Sequence, residues 1–409
     1  MTTEQMTTEQ AAAEQTAAEQ TAAEQTAAEQ TAAEQTATDQ TAAEQTASEQ
    51  TAAKNSARRT SAGQKAATGT RSAGSDFAEL NRRINTAGLL RRRPAYYALR
   101  LSLVTVALLG GWYTFFLIGA SWWTLAVAVF LAVVFAQVAL VAHDLAHRQV
   151  FRTNKHSSRA GLIAGNLAIG MSYGYWMDKH TKHHANPNHD DLDPDVGPGV
   201  LVWSPEAAGA AARKGGIASW MAKYQAYLFF PLLTLLGLSL KRDSVRALRA
   251  GTATSASTGT VKRRGLEAAL LGAHFIAYAA ALLIVLTPLQ ALAFFVVHQA
   301  LFGLYLGMTF APNHKGMPHP DGTEDFFRKQ VLTSRNVRGG RFVDAALGGL
   351  NYQIEHHLFP AMPTPNLRKA QPVVQRYCAE IGVPYEMTSL ADSYRQALRH
   401  LHEVGADLR

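Results

Sequence analysis

Leu101–His147, LSLVTVALLGGWYTFFLIGASWWTLAVAVFLAVVFAQVALVAHDLAH, runs without a charged side chain as far as Asp144. A helix rises about 1.5 Å per residue, so about 20 apolar residues cross the hydrocarbon core of a bilayer. Leu101–Gly119 has nineteen residues and Ser121–Ala142 has twenty-two, with only Ala120 between them. This spacing predicts a tight transmembrane hairpin. A second is predicted at Ala268–Leu286 and Leu289–Ala311, which are joined at Thr287–Pro288. The competing reading, buried helical hairpins of a soluble protein, has to accommodate four such runs in one chain.

The rest of the chain is very different in composition. Although 47% of the 409 residues are hydrophobic, mean hydropathy is −0.07, so an apolar part is averaged with a polar one. Residues 1–50 are a TAAEQ pentapeptide array. A period of five advances about 140° around a helix and builds no apolar stripe, so the array reads as solvated helix or disorder, with an interaction tail as the alternative. It lacks the basic and apolar regions of a secretory signal. The array holds ten of the 31 acidic side chains and none of the 39 basic ones, which leaves residues 51–409 with a surplus of 18 cations. Residues 51–94 read as a basic Ser/Gly/Ala-rich linker, 95–384 as the membrane domain and 385–409 as a C-terminal cytoplasmic helix. The single cysteine, Cys378, excludes an intrachain disulfide and cysteine-based zinc or redox motifs.

Arg91–Arg93 precede the first hairpin, Arg148, Arg152 and Lys155 follow it, and Lys241, Arg242 and Lys262–Arg264 precede the second. The hairpin tips carry no charge, so the positive-inside rule places both termini and the long connections in the cytoplasm. Two shorter apolar runs, Gly161–Met177 and Tyr224–Leu240, are read as interfacial or re-entrant. Asn366–Ile381 and Ser389–Val404 are predicted amphipathic helices capping a cytoplasmic domain. The fold class is thus all-α integral membrane, with four spans as two hairpins, interfacial helices and a cytoplasmic helical metal domain. An excess of Arg over Lys hints at a bacterial source.

That metal domain is inferred from the histidines. His143-Asp-Leu-Ala-His147 closes the first hairpin, His180-Thr-Lys-His183-His184 lies in the next connection, and Gln353-Ile-Glu-His356-His357 follows the second hairpin. Residues three and four apart share a helix face, so each motif offers imidazoles side by side. Seven imidazoles exceed what one tetrahedral zinc uses, and two metals are the economical reading. His298 precedes His314 by sixteen residues, about 24 Å along a helix, and is excluded from its shell. His274 either lines an acyl tunnel or is simply hydrogen-bonded. His156, His319, His400 and His402 are read as surface residues, and His189 as a marginal ligand.

HDLAH, HTKHH and QIEHH resemble the three histidine boxes of the integral-membrane fatty acid desaturases. The Gln opening the third box is similar to the branch with front-end and linoleoyl-CoA-type enzymes. HHANPNHDDLDPDV, NHKGMP and LNYQIEHHLFPAMPTPNLRKAQPVV extend the resemblance, which covers Arg91 to Pro384. It implies a non-haem di-iron centre that uses O2 and two electrons to remove two hydrogens from an acyl chain. His143, His147, His180, His183, His184, His314, His356 and His357 would then be iron ligands. Asp144, Asn313, Gln353 and Glu355 are the candidate catalytic residues, with Gln353 standing where other branches place His. Asn186, Asn188, Asp193 and Asp195 either support the ligands or form a solvated acidic loop.

Hydroxylation, ketolation or acetylenic-bond formation on the same centre is the first alternative. A metal transporter is the second, but it calls for polar groups deep in several spans, whereas these clusters sit at span ends. The expected partners are the lipid bilayer, a fatty acyl substrate on a CoA, carrier-protein or lipid headgroup, and an external electron carrier. No nucleic acid is expected. His-Pro-Gly-Gly, which marks a fused cytochrome domain in relatives of this branch, is absent from the sequence. A ferredoxin or small cytochrome with its reductase is therefore expected, attracted by Lys155, Lys179, Lys182, Arg328, Lys329 and Arg368.

Overall fold

Residues 73–197, 199–251 and 261–409 are described by a computed structural model, in which Ser72–Arg409 form one compact unit. The pentapeptide array and the first part of the basic stretch lie outside the described residues. The first helix, α1 (Ala73–Thr86), corrects the reading of 51–94 as a linker. Leu80 and Ile84 are fully buried in a core with Phe327, Leu358, Val374 and Tyr377, and Phe77 stacks on Phe359. Asp76 pairs with Arg328 at 3.0 Å, and the Tyr377 hydroxyl donates to the Asp76 carbonyl. The Phe77, Leu80, Ile84 stripe has helical spacing, but its Ser/Gly/Ala-rich approach and flanking Arg residues disguise it.

Among the described residues four helices are long and apolar enough to cross a membrane: α2 (Pro94–Ile118), α3 (Thr124–Ala146), α9 (Val261–Val285) and α10 (Pro288–His314). Between the pairs lie α4 (Asn154–Leu162), a π-helical turn at Ile163–Ala168, α5 (Tyr173–Ala185), α6 (Pro205–Lys214), α7 (Gly216–Leu233) and α8 (Leu236–Ala250). Helix α9 spans Val261–Val285 and α10 spans Pro288–His314, with Thr287 capping α10 through a reciprocal bond with Gln290. Of the apolar windows, 61% of α3 and 44% of α10 are buried, against 11% of α2 and 17% of α9. Helices α3 and α10 are therefore the inner pair. Phe135 and Ala132 of α3 meet Phe302 and Leu306 of α10 between them.

The run Tyr224–Leu240 is divided between α7 and α8, which are not among the membrane-length helices. A Cβ on Gly303 would lie 2.8 Å from the carbonyls of Leu233 and Thr234, so the α7–α8 junction sits directly on the α10 backbone. Any side chain at this position would push the junction off α10.

The remaining helices are α11 (Phe326–Leu332), α12 (Arg341–Ala346), α13 (Gln353–Leu358), α14 (Thr364–Glu380) and α15 (Leu390–Val404). Two short strands, β1 (Asn336–Arg338) and β2 (Met387–Ser389), pair in parallel with Val337 opposite Thr388. Through β2 and the packing of Tyr394 and Leu401 against Phe229 and Ala311, residues 385–409 are part of the main unit.

Because α1 belongs to the core, deletion of residues 2–70 is expected to leave stability unchanged, whereas deletion of residues 2–86 is expected to abolish a monodisperse product. Leu80→Ala should cost about 2–5 kcal/mol, the range for truncating a fully buried leucine. Thermal unfolding followed by size-exclusion chromatography reads all three variants.

Candidate metal centre

Helix ends build this site. His143 lies in the last turn of α3 and His147 follows as its C-cap; His314 ends α10; α5 presents His180, His183 and His184; and the one-and-a-half turns of α13 carry His356 and His357. All eight come together in two groups. One holds His143, His147, His180, His184 and His356, and the other His183, His314 and His357; within each, ring nitrogens lie within 4.8 Å of one another. His147 Nε2 is 2.8 Å from His180 Nε2, His184 Nε2 is 3.0 Å from His180 Nε2, and His356 Nε2 is 3.2 Å from His184 Nε2. In the second group His183 Nε2 and His314 Nε2 are 3.3 Å apart. The rings of His184 and His357 stack at 4.2 Å and join the groups.

These separations fit a bound cation. Metal–nitrogen bonds of roughly 2.1 Å give an octahedron edges of roughly 3.0 Å. His143 Nε2 and His357 Nε2 are buried without a hydrogen-bond partner, as an inward-facing ligand nitrogen would be. Burial and the neighbouring rings hold His147, His180, His184, His356 and His357 well below the ordinary imidazole pKa, so they are neutral and competent to donate a lone pair.

In the three-histidine group the outer nitrogens are held as well. His183 Nδ1 lies 2.9 Å from Asp193 Oδ2, His314 Nδ1 lies 3.0 Å from the Thr333 carbonyl, and His357 Nδ1 lies 2.8 Å from Gln330 Oε1. Each contact aims Nε2 inward and fixes the tautomer. Asp193 also accepts from the backbone N–H groups of Asn188 and Asp195, and Asn188 donates to the His314 carbonyl. Asp193 is thus a structural partner of the site and not a solvated acid. The sequence pattern did not disclose Gln330 and Thr333, which reach the centre only through the tertiary fold.

Gln353 joins the second group, with Nε2 at 2.8 Å from His314 Nε2 and Oε1 accepting from Asn313 at 3.1 Å. Glu355 does not meet the ring nitrogens, and Asp144 meets them only on the outer side, with Oδ1 3.6 Å from His143 Nδ1. Asp144 accepts from Thr364 Oγ1 at 3.2 Å, with Arg100 at 3.7 Å, and Glu355 accepts from Asn336 and Tyr385, both at 2.7 Å. Burial pushes the Glu355 carboxyl up to about 7.

Other histidines lie outside the centre. His298 meets the Tyr278 hydroxyl at 2.8 Å, His274 Nδ1 meets the Leu167 carbonyl at 2.9 Å, and His319 pairs with Asp190. His189 Nδ1 accepts from the Asp191 N–H. His400 is half-buried against the Trp203 carbonyl, which corrects its surface assignment, while His156 and His402 are exposed. The proposed docking cations are also largely engaged. Lys179 pairs with Asp195, Lys182 with Asp178, Arg328 with Asp76 and Asp325, and Arg368 with Asp344, while Lys329 donates to the Ala185 carbonyl. Only Lys155 of the six has no partner among the described residues, so the expected basic patch is mostly neutralised.

An apolar slot lined by Ala139, Ile169, Met171, Leu306, Phe310 and Trp176 runs between α3, α10 and the start of α5. The slot is small, about 30 Å³, and its Trp176 wall backs onto the histidines, stacking on His180 at 4.3 Å and meeting His143 edge-on at 5.7 Å.

Membrane-length helices that end in a buried polyhistidine cluster beside an apolar slot fit an integral membrane protein with a metal site. Residues 120–389 match the fatty acid desaturase family, and the chain belongs to it. It is 31% identical over 341 residues to the acyl-lipid (9-3)-desaturase of Physcomitrium patens, covering 80% of this chain and 62% of that protein. Identity to a Delta(6)-fatty-acid desaturase of Caenorhabditis elegans is 27% over 345 residues, covering 81% and 75%. Identity to fatty acid desaturase 3 of Bos taurus is 26% over 340 residues, covering 81% and 73%. These relatives are eukaryotic and lend no support to a bacterial source.

The two groups give separable metal losses. His180→Ala and His357→Ala are each expected to lose one of two metal equivalents per chain, while His298→Ala retains both. Gln330→Ala should weaken metal affinity about 10–100-fold, as loss of an outer partner does elsewhere. Elemental analysis of purified protein, with a chelator titration for Gln330→Ala, checks each outcome.

Proposed function

We propose that this chain introduces a carbon–carbon double bond into a fatty acyl chain at a di-iron centre. The carrying observation is the convergence of eight inward-facing imidazoles at the end of an apolar slot. His143, His147, His180, His184 and His356 hold one iron, and His183, His314 and His357 hold the other, with Gln353 beside His314. The bound irons supply the oxidising chemistry: O2, two electrons and two protons take one hydrogen from each of two adjacent methylenes, giving an alkene and two waters.

The protein's own part is placement and protection. Asp193, Gln330 and the Thr333 carbonyl hold three rings in one tautomer, and Asn313 orients the Gln353 amide. The slot marks where an acyl chain would enter from the bilayer once its apolar walls separate, and Trp176 brings one wall against His180 and His143. An apolar wall excludes water from a reaction that breaks unactivated C–H bonds. The named relatives include Delta(6)-, Delta(5)- and Delta(8)-desaturases, which supports a front-end position for the new bond.

In this reading the four apolar helices form two hairpins, with the termini and the metal centre at the cytoplasmic face, as the Lys and Arg distribution supports. Electrons come from a separate carrier with its reductase. Since five of the six proposed docking cations are engaged within the protein, attraction by this patch contributes little to carrier binding.

Expression in a desaturase-deficient host, followed by double-bond mapping of total fatty acids, tests the activity. A new double-bond isomer is expected from the wild type and none from His184→Ala, whereas a hydroxylated or acetylenic product would assign another reaction to the centre. In lipid vesicles with NADPH and O2, sustained turnover is expected only with added carrier and reductase. Turnover should change less than about threefold between low and physiological salt, because exposed pairs contribute little and are readily screened.

A further inference from the structure

Away from the metal centre, α4 and the first turns of α9 enclose an open cleft lined by Lys155, Ser158, Arg159, Leu162, Arg263 and Leu266. Lys155, Ser158, Arg159 and Leu162 are spaced i, i+3, i+4 and i+7, so one face of α4 is cationic at its start and apolar at its end. Arg263 and Leu266 repeat that order one turn apart on α9. Lys155 and Arg159 are exposed and have no hydrogen-bond or ion-pair partner among the described residues. Arg263 is 3.5 Å from Glu267, but Glu267 is buried and accepts from Ser172 and the Gly174 N–H. Among the described residues no acidic side chain lines the cleft itself.

The placement of these charges is informative. The charge-free run of α9 starts at Ala268, just over one turn after Arg263, and Leu266, Ile163 and Leu167 are 49%, 56% and 41% exposed. Apolar side chains this exposed beside a membrane-length helix face lipid. The cations therefore stand at the level where the apolar band ends, with an apolar floor one turn deeper. A free phosphate has no use for that floor, whereas a phospholipid presents phosphate oxygens to the cations and glycerol and acyl carbons to Leu162 and Leu266. Arg offers a planar fork of donors that matches phosphate oxygens, and Lys adds a compact charge.

We propose that the Lys155–Arg159–Arg263 cleft binds the headgroup of an anionic phospholipid of the surrounding bilayer. The site bears on the metal centre through packing. Leu162 at the floor of the cleft contacts Tyr173 and Ala146, next to the first histidine motif and the start of α5. A Cβ on Gly161 would lie 2.3 Å from the Tyr173 ring, so α4 is seated directly on the segment that carries Trp176 and His180. A bound lipid holds α4 against that segment.

The test uses the full-length protein in phosphatidylcholine vesicles containing trace spin-labelled phosphatidylglycerol or spin-labelled phosphatidylcholine. Electron paramagnetic resonance measures the motionally restricted fraction of each. Restricted phosphatidylcholine reports insertion, so failure of the membrane placement is told apart from failure of the site. Phosphatidylglycerol is expected to be preferred by about fivefold per engaged cation, following the typical attraction of one Lys or Arg to an anionic surface. The double variant Lys155→Ala, Arg159→Ala should lower the preference about 25-fold, leaving at most the roughly fivefold share of Arg263, and Arg159→Gln should lower it partway if the double variant fails to fold. Arg341→Ala, which removes an exposed cation elsewhere, should leave it unchanged. An unchanged preference in the cleft variants, or an equal loss in Arg341→Ala, would overturn the proposal. So would its abolition by millimolar inorganic phosphate, which would assign the cleft to a soluble phosphate group.

Discussion

The rest of the structure depends on one requirement: buried neutral imidazoles must face one another at 2.8–3.3 Å. A buried polar atom without a partner costs about 1–3 kcal/mol, and two inward nitrogens, His143 Nε2 and His357 Nε2, have none among the described residues. A cation that accepts their lone pairs removes this cost, so metal binding and the ordering of the surrounding helix ends are coupled. The scaffold must still bring four helix ends to one place. Arg335, fully buried, helps by donating to the Pro312 and Lys315 carbonyls at the end of α10, beside His314.

The short helix α13 needs a similar restraint. It has six residues, below the length at which a helix is stable alone. Glu355 provides the anchor by accepting from Asn336 and Tyr385, while Asn336 Oδ1 accepts the Ile354 N–H. Asn336 starts β1, and Tyr385 lies just before β2 in the C-terminal segment. The carboxylate inside the third histidine motif therefore ties that motif to the end of the chain and faces away from the ring nitrogens. His356 and His357 project toward different groups because they are adjacent on a helix whose rotation is fixed in this way.

Features with local periodicity were legible in the sequence. The long apolar runs mark the four membrane-length helices, and the three spaced histidine motifs name seven of the eight histidines that converge, the eighth, His314, coming only from the family resemblance. Other features depend on distant contacts. Gln330 and Thr333 carry no motif, yet α11 places them behind His357 and His314. The stripe in α1 was hidden because three apolar residues among Arg, Ser and Gly do not raise local hydropathy; only Phe327 and Tyr377, some 250 to 300 residues later, supply its partner surface. Charge counting misread the docking patch for the related reason that Asp76, Asp178, Asp195, Asp325 and Asp344 come to the Lys and Arg side chains only on folding.

The two histidine groups differ in kind. Five rings crowd the first with few outer hydrogen bonds, whereas three rings, each with a defined outer partner, and an amide form the second. On the proposed reading, a centre built this way would hold two unlike metal ions. Mössbauer spectroscopy of the purified protein enriched in iron-57 tests that claim most directly. Two quadrupole doublets of equal area with distinct splittings are the result the account requires; a single doublet, or iron confined to one environment, would contradict it.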